Sequence, residues 1–143
     1  MRVHTRMFFA DDKGDFGRTV LRCVGVGECR KKDGTMCPSY KATLEEKHST
    51  RGRAHLLFEM MNGELIEDGW KSEEVKDALD LCLSCKGCKG DCPVGVDMAT
   101  YKAELWRPYY EGRPRPLHRN AVGWVRVWAR LGAWWPVGAD AGP

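Results

Sequence analysis

The sequence predicts an all-α fold in which cysteine-rich cluster loops separate short helices. Three observations predict it. Apolar residues recur at helical spacing in several segments, and no segment shows a convincing strand-period alternation. The seven cysteines gather in two Gly-containing segments, 23–38 and 82–92. Good helix-capping residues, Thr43, Ser72 and Asp97, stand near these segments.

Residues 1–17 read as a flexible lead, because Asp11, Asp12, Lys13, Gly14, Asp15, Phe16 and Gly17 form a polar, turn-rich stretch. The segment 23–38 reads as loop with short helical turns. Thr43 followed by Glu46 fits a capping box and predicts a short helix near 43–48. A second helix is expected over 50–61, where Leu56, Leu57, Met60 and Met61 make an apolar stripe suited to core packing. Asn62-Gly63 should stop it, with loop over 62–71. Ser72 can cap a helix carrying Glu73, Glu74, Val75, Ala78, Leu79 and Leu81, whose acids suit its first turn. That helix delivers Cys82 into the second cysteine loop. Asp97 can cap a helix with Tyr101, Leu105 and Trp106 on one face, which Pro108 should end or bend. A central domain over 18–110 is thus followed by a Pro/Arg-rich linker at 111–120 and a Trp-rich amphipathic tail at 121–143. In the tail Trp124, Val127, Trp128, Leu131, Trp134 and Trp135 recur at helical spacing around Arg126 and Arg130.

A chain of 143 residues holds one domain with tails. A mean hydropathy of −0.49 and a 30% share of charged residues suit a soluble protein. The net charge of +3 gives no reason to expect a nucleic-acid partner. Seven cysteines are an odd number, which a closed disulfide framework cannot satisfy. The N-terminus opens into no apolar signal region, and no 18-residue apolar run occurs. These features lead us to expect a cytoplasmic protein whose clustered thiols bind metal.

Cys82, Cys85, Cys88 and Cys92-Pro93 spell C-x2-C-x2-C-x3-C-P, the run that holds iron–sulfur clusters in bacterial two-cluster ferredoxins. Thiolates spaced two residues apart can wrap one face of a cubane if the loop curls, and Gly87 and Gly90 are the expected positions of positive φ. In such proteins the fourth cysteine serves the other cluster. The first segment repeats the pattern imperfectly. Cys23 and Cys29 take the first and third positions, Val26 stands where the middle cysteine belongs, and Cys37-Pro38 follows after an apparent insertion at Lys31, Lys32, Asp33 and Gly34. Cross-ligation then gives Cys82, Cys85, Cys88 and Cys37 to a [4Fe–4S] cluster. Cys23, Cys29 and Cys92 supply three thiolates for a second cluster, either [3Fe–4S] or a [4Fe–4S] centre with another ligand. His48 is the candidate for that ligand, then Glu28; an ordinary structural histidine and a site without a cluster are the other readings. A zinc-binding structural or adaptor module is the competing use of the cysteines. Arg22, Arg30, Lys31, Lys32, Lys86 and Lys89 could offset cluster charge, although each alone reads as solvated surface.

The stretches CVGVGECRKKDGTMCPSY at 23–40, EKHSTRGRAHLLFEM at 46–60 and ALDLCLSCKGCKGDCPVGVDMATYKAE at 78–104 resemble the iron–sulfur domain of FAD-linked D-2-hydroxyacid dehydrogenases. That group includes glycolate oxidase and anaerobic glycerol-3-phosphate dehydrogenase iron–sulfur subunits and fused D-lactate or D-2-hydroxyglutarate dehydrogenases. The resemblance covers about residues 16–135. It implies an α-helical ferredoxin fold and an electron-transfer role, relaying electrons from FAD on a partner chain or missing domain to an acceptor such as quinone. Residues 1–22 have no room for an FAD-binding domain and no cysteine follows Cys92, so a split subunit, a truncated product or a fragment is expected. His48, Ser49, Arg51, Gly52 and Arg53 match a recurring stretch of the family, with a role either in orienting the cluster loop or in partner contact. The tryptophan tail suits packing on a partner, or peripheral association with the inner face of a membrane. A free-standing ferredoxin would differ by forming no stable flavoprotein complex.

Overall fold

The structure is a computed structural model of the chain and describes residues 9, 12–117, 121 and 123–134. Among the described residues there are helices and no strand, in agreement with the expected all-α class. The chain divides into two compact units, Met1–Glu111 and Gly112–Pro143.

The first unit begins to fold inside the expected lead. Asp15 accepts a hydrogen bond from the Gly17 N–H at 3.0 Å and caps α1 (Phe16–Leu21). Phe16 is fully buried and meets Tyr101 edge-on, with ring centroids 5.7 Å apart. The Tyr101 hydroxyl donates to the Thr19 carbonyl at 2.6 Å, so α1 is joined to the C-terminal end of the unit by both apolar and polar contact. Burying a side chain of this size is worth about 1.5–3 kcal/mol, enough to order a helix too short to persist alone.

Pro38 starts α2 (Pro38–Thr43) at its first turn, where a missing N–H costs nothing. The expected helix over 43–48 does not form. Leu44 adopts φ 58° and breaks the chain, and Glu46–His48 form a 3-10 turn instead. The Thr43 hydroxyl lies 2.8 Å from His48 Nδ1 and donates to the Ser39 carbonyl. Its capping capacity is therefore spent on local contacts.

The central helix α3 (Thr50–Asn62) is capped by Ser49, whose hydroxyl accepts from the Gly52 N–H at 2.9 Å. Gly63 closes it at φ 71°, the left-handed conformation that glycine tolerates. Leu57, Met60 and Met61 of the expected stripe are buried, and Leu56 packs beside them. A 3-10 turn at Gly69–Lys71 leads to α4 (Glu73–Asp80), capped by Ser72, which accepts from Val75 N–H. Val75, Ala78 and Leu79 of α4 are buried against α3. The second cysteine segment contains α5 (Gly87–Asp91), and Asp97 caps α6 (Met98–Tyr109). Pro108 sits in the last turn of α6, which ends one residue later.

The second unit carries α7 (Val125–Trp134). Its Val125, Val127, Trp128 and Leu131 are exposed, as is Trp124 before it. Trp135 lies outside the described residues. No helix among the described residues is long and apolar enough to cross a membrane.

Candidate metal centre

The two cysteine loops have the same backbone form. Cys23 to Cys29 and Cys82 to Cys88 are equally long, and positive φ falls at matching places. Gly25 (82°) and Gly27 (85°) flank Val26, while Ser84 (54°) and Lys86 (59°) flank Cys85. Burial repeats as well: Cys23 and Cys82 are half-buried, Cys29 and Cys88 are buried, and both Val26 and Cys85 face outward. A helical turn starts after each loop's second left-handed residue, at Glu28 and at Gly87. Val26 is therefore the structural counterpart of Cys85.

This geometry corrects the role expected for two glycines. Positive φ in the second loop belongs to Ser84 and Lys86, whereas Gly87 and Gly90 are helical residues of α5. Gly87 is needed for closeness instead. A Cβ there would stand 2.8 Å from Thr35 Oγ1 and 2.9 Å from Thr35 O. Thr35 follows the apparent insertion of the first segment, and its N–H and hydroxyl donate to Asp91 Oδ2 at 2.9 and 2.6 Å. Thr35, just past the insertion, thus fastens the two cysteine segments together beside Cys92.

Helix N-termini point their free N–H groups at the sulfurs, where the positive end of the helix dipole favours thiolate. Thr50 N–H donates to Cys37 Sγ at 3.0 Å, and Arg51 N–H to Cys29 Sγ at 3.4 Å, both from the first turn of α3. Met98 N–H at the start of α6 donates to Cys88 Sγ at 3.4 Å. Thr50 Oγ1 also lies 2.9 Å from Cys37 Sγ. The segment His48-Ser49-Thr50-Arg51-Gly52-Arg53 is therefore a sulfur-binding helix start. Gly52 permits it, because a Cβ there would lie 2.0 Å from the Glu46 carbonyl oxygen.

Two buried cations back the loops. Arg53 is 2% exposed; its Nε donates to Ala78 O at 2.7 Å and an Nη to Ser39 Oγ at 2.8 Å. Lys102 Nζ donates to the carbonyls of Cys82 at 2.6 Å and Asp80 at 3.2 Å, closing the C-terminal end of α4. The basic residues singled out in the sequence behave differently. Arg22 pairs with Asp12, Arg30 with Glu46, Lys31 with Glu28, and Lys86 and Lys89 with Asp97. Lys86 and Lys89 share the one carboxylate of Asp97, and Arg30 shares Glu46 with Arg51, so carboxylates meet only part of this charge. Arg53, with no carboxylate ion pair among the described residues, entered the sequence reading only as part of the stretch 48–53 and not among the cations set against the clusters. Its burial carries no signal in the residue types around it.

Burial pushes the Cys23 thiol up, with Cys29 and Cys92 adding like-charge pressure, and burial also pushes up Cys88, with Cys82 and Cys85 adding theirs. The cysteines thus influence one another in two groups. Cys37 belongs to a contact between the groups, which holds Cys29 down to about 6 and raises Cys37. Iron at either sulfur would displace its thiol proton. Among the described residues no three Cys, His, Asp or Glu side chains converge on a single metal ion. A cubane does not require that, because its ligands stand apart by the width of the cluster. Seven unpaired thiols, two matched curled loops and N–H groups aimed at sulfur fit iron–sulfur clusters.

The other candidate ligands have protein partners. His48 is 5% exposed, its Nδ1 is engaged by Thr43, and burial holds its pKa below the usual histidine value. Iron ligation by His48 would fall to Nε2. Glu28 is paired with Lys31 at 2.7 Å.

Comparison with known proteins agrees with this donor set. Residues 19–96 match the 4Fe-4S dicluster domain family. D-2-hydroxyglutarate dehydrogenase of Pseudomonas putida is 30% identical over 78% of this chain and 15% of its own length. The Escherichia coli protein of that name is 30% identical over 80% of this chain and 15% of its own length. A probable glycolate oxidase iron-sulfur subunit of Bacillus subtilis is 36% identical over 54% of this chain and 16% of its own length. The chain therefore spans about a sixth or less of the length of these relatives. No solved structure matches. With its repeated cysteine loops and a match over more than half its length, the chain belongs to the 4Fe-4S dicluster domain family.

Proposed function

We propose that this domain relays electrons from a flavin-dependent dehydrogenase of D-2-hydroxy acids to a separate acceptor, for instance a quinone-linked one. The relatives named as D-2-hydroxyglutarate dehydrogenase and as probable glycolate oxidase iron-sulfur subunit support the substrate class and a dehydrogenase or oxidase partner or domain. When bound, iron–sulfur clusters supply one-electron redox chemistry. The chain's own residues do the rest. Cys82, Cys85, Cys88 and Cys37 hold one [4Fe–4S] cluster, and Cys23, Cys29 and Cys92 hold the second. The N–H groups of Thr50, Arg51 and Met98 stabilise negative charge at sulfur. Met36, Val96, Met98 and Leu57 form an apolar wall that keeps water from the buried side. The exposed apolar residues of α7 support packing against a partner protein.

The observation that carries this reading is the matched pair of loops, with Val26 in the place of Cys85. Three thiolates suit a [3Fe–4S] centre, so the domain holds about seven irons. Val26→Cys restores the missing corner ligand on a loop whose backbone already has the required form. The variant is expected to gain about one iron per chain and to lose the EPR signal of an oxidised three-iron centre. An unchanged iron count and spectrum would overturn the vacancy at Val26.

A further inference from the structure

Arg53 is an expensive residue to bury. A guanidinium withdrawn from water without an opposing charge is strongly unfavourable. At 2% exposure, its hydrogen bonds go to neutral acceptors, Ala78 O and Ser39 Oγ, and no carboxylate forms an ion pair with it among the described residues. The ionisable groups whose fields reach it are cysteines, negative once they ligate metal: Cys82, Cys37, Cys88 and Cys29, in decreasing order. Burial acts to strip its proton, and these four sulfurs act to retain it. Three of them belong to the proposed first cluster and one to the second. Ser39 lies two residues after Cys37, and Ala78 lies in the helix that leads to Cys82. The planar fork thus bridges the two cysteine segments from inside the core.

We propose that Arg53 is the internal counter-cation of the cluster sites, a positioning residue whose fixed charge raises their reduction potentials. This inference rests on the iron–sulfur reading given above. Each added electron places one more negative charge beside a cation that stays protonated, so reduction is favoured. The effect should be largest at the cluster held by Cys82, Cys85, Cys88 and Cys37, which contributes most of the sulfurs around the guanidinium. Because Arg53 is sealed from solvent, counter-ions cannot substitute for it.

The test is an anaerobic redox titration, read by EPR, of the cluster-loaded parent and of Arg53→Lys, Arg53→Gln and Arg53→Met, with iron content and thermal midpoint measured in parallel. Arg53→Lys keeps the charge and loses the fork. Arg53→Gln keeps a donor and loses the charge. A counter-cation predicts that parent and Lys variant group together, with both neutral variants shifted to lower potential, most strongly at the four-cysteine cluster. Loading of the Lys variant alone would also support the charge role. Equal potentials in the Lys and Gln variants would overturn it, even if both melt earlier than the parent, and so would a failure of all three variants to load. A parent that takes up no iron would instead overturn the iron–sulfur reading itself and this inference with it.

Discussion

His48 is a candidate ligand that also has contacts within the fold. It stands between the cysteine segments and the α3 start, yet Thr43 engages its Nδ1 and its own carbonyl accepts from Ser39. Burial depresses its folded pKa, so the unfolded chain binds the proton more readily. Stability from neutral His48 is therefore present above the unfolded value near 6.5 and is lost as pH falls through the lower folded value. As pH falls below about 6.5 the parent should lose stability, and His48→Gln should flatten that loss while leaving the iron count unchanged. Chemical unfolding across this window, with iron assay at neutral pH, checks both. A drop in iron on substitution would return His48 to the ligand set. The cysteines were legible in the sequence because thiol spacing reports directly on cluster binding. Arg53 was legible only as a member of the stretch 48–53, because an arginine in a helix reads as surface until the burial around it is known.

At the level of elements, the helices that begin with a side-chain cap could be read before the fold was known. Ser72 and Asp97 cap α4 and α6 as expected. Thr43 did not cap, because its hydroxyl was recruited by Ser39 and His48, and α1 hid in a polar lead because its anchor, Phe16, is buried only by residues distant in sequence. The loop pair was half legible: the cysteine overlay came from spacing, but the matching left-handed residues Ser84 and Lys86 are not glycines and left no signal. Among the described glycines, the closest backbone approach is at Gly52, where α3 meets the turn Glu46–His48. Gly52→Ala puts a methyl against the backbone of Glu46, where no side-chain rotation can relieve it. We expect a stability loss of about 1–3 kcal/mol and reduced iron loading, because moving the α3 start also moves the N–H groups that face Cys29 and Cys37. Equal melting and iron content in parent and variant would show that the sulfur-facing start of α3 tolerates displacement.

On the scale of the whole molecule, the core is built from large apolar side chains of several short helices, and the cysteines themselves occupy part of it. Cys29, Cys37 and Cys88 are each less than a tenth exposed, so cluster binding and folding share the same interior. The comparisons place the chain in the dicluster family and leave most of each relative's length outside it. What distinguishes an iron–sulfur relay from a zinc module built on the same cysteines is the metal content and its redox state. The most direct test is therefore metal and sulfide analysis, with EPR, of the chain purified without oxygen. The account predicts a brown protein with about seven irons and about eight acid-labile sulfides, including an oxidised three-iron signal. A colourless protein holding zinc in place of iron and sulfide would contradict it.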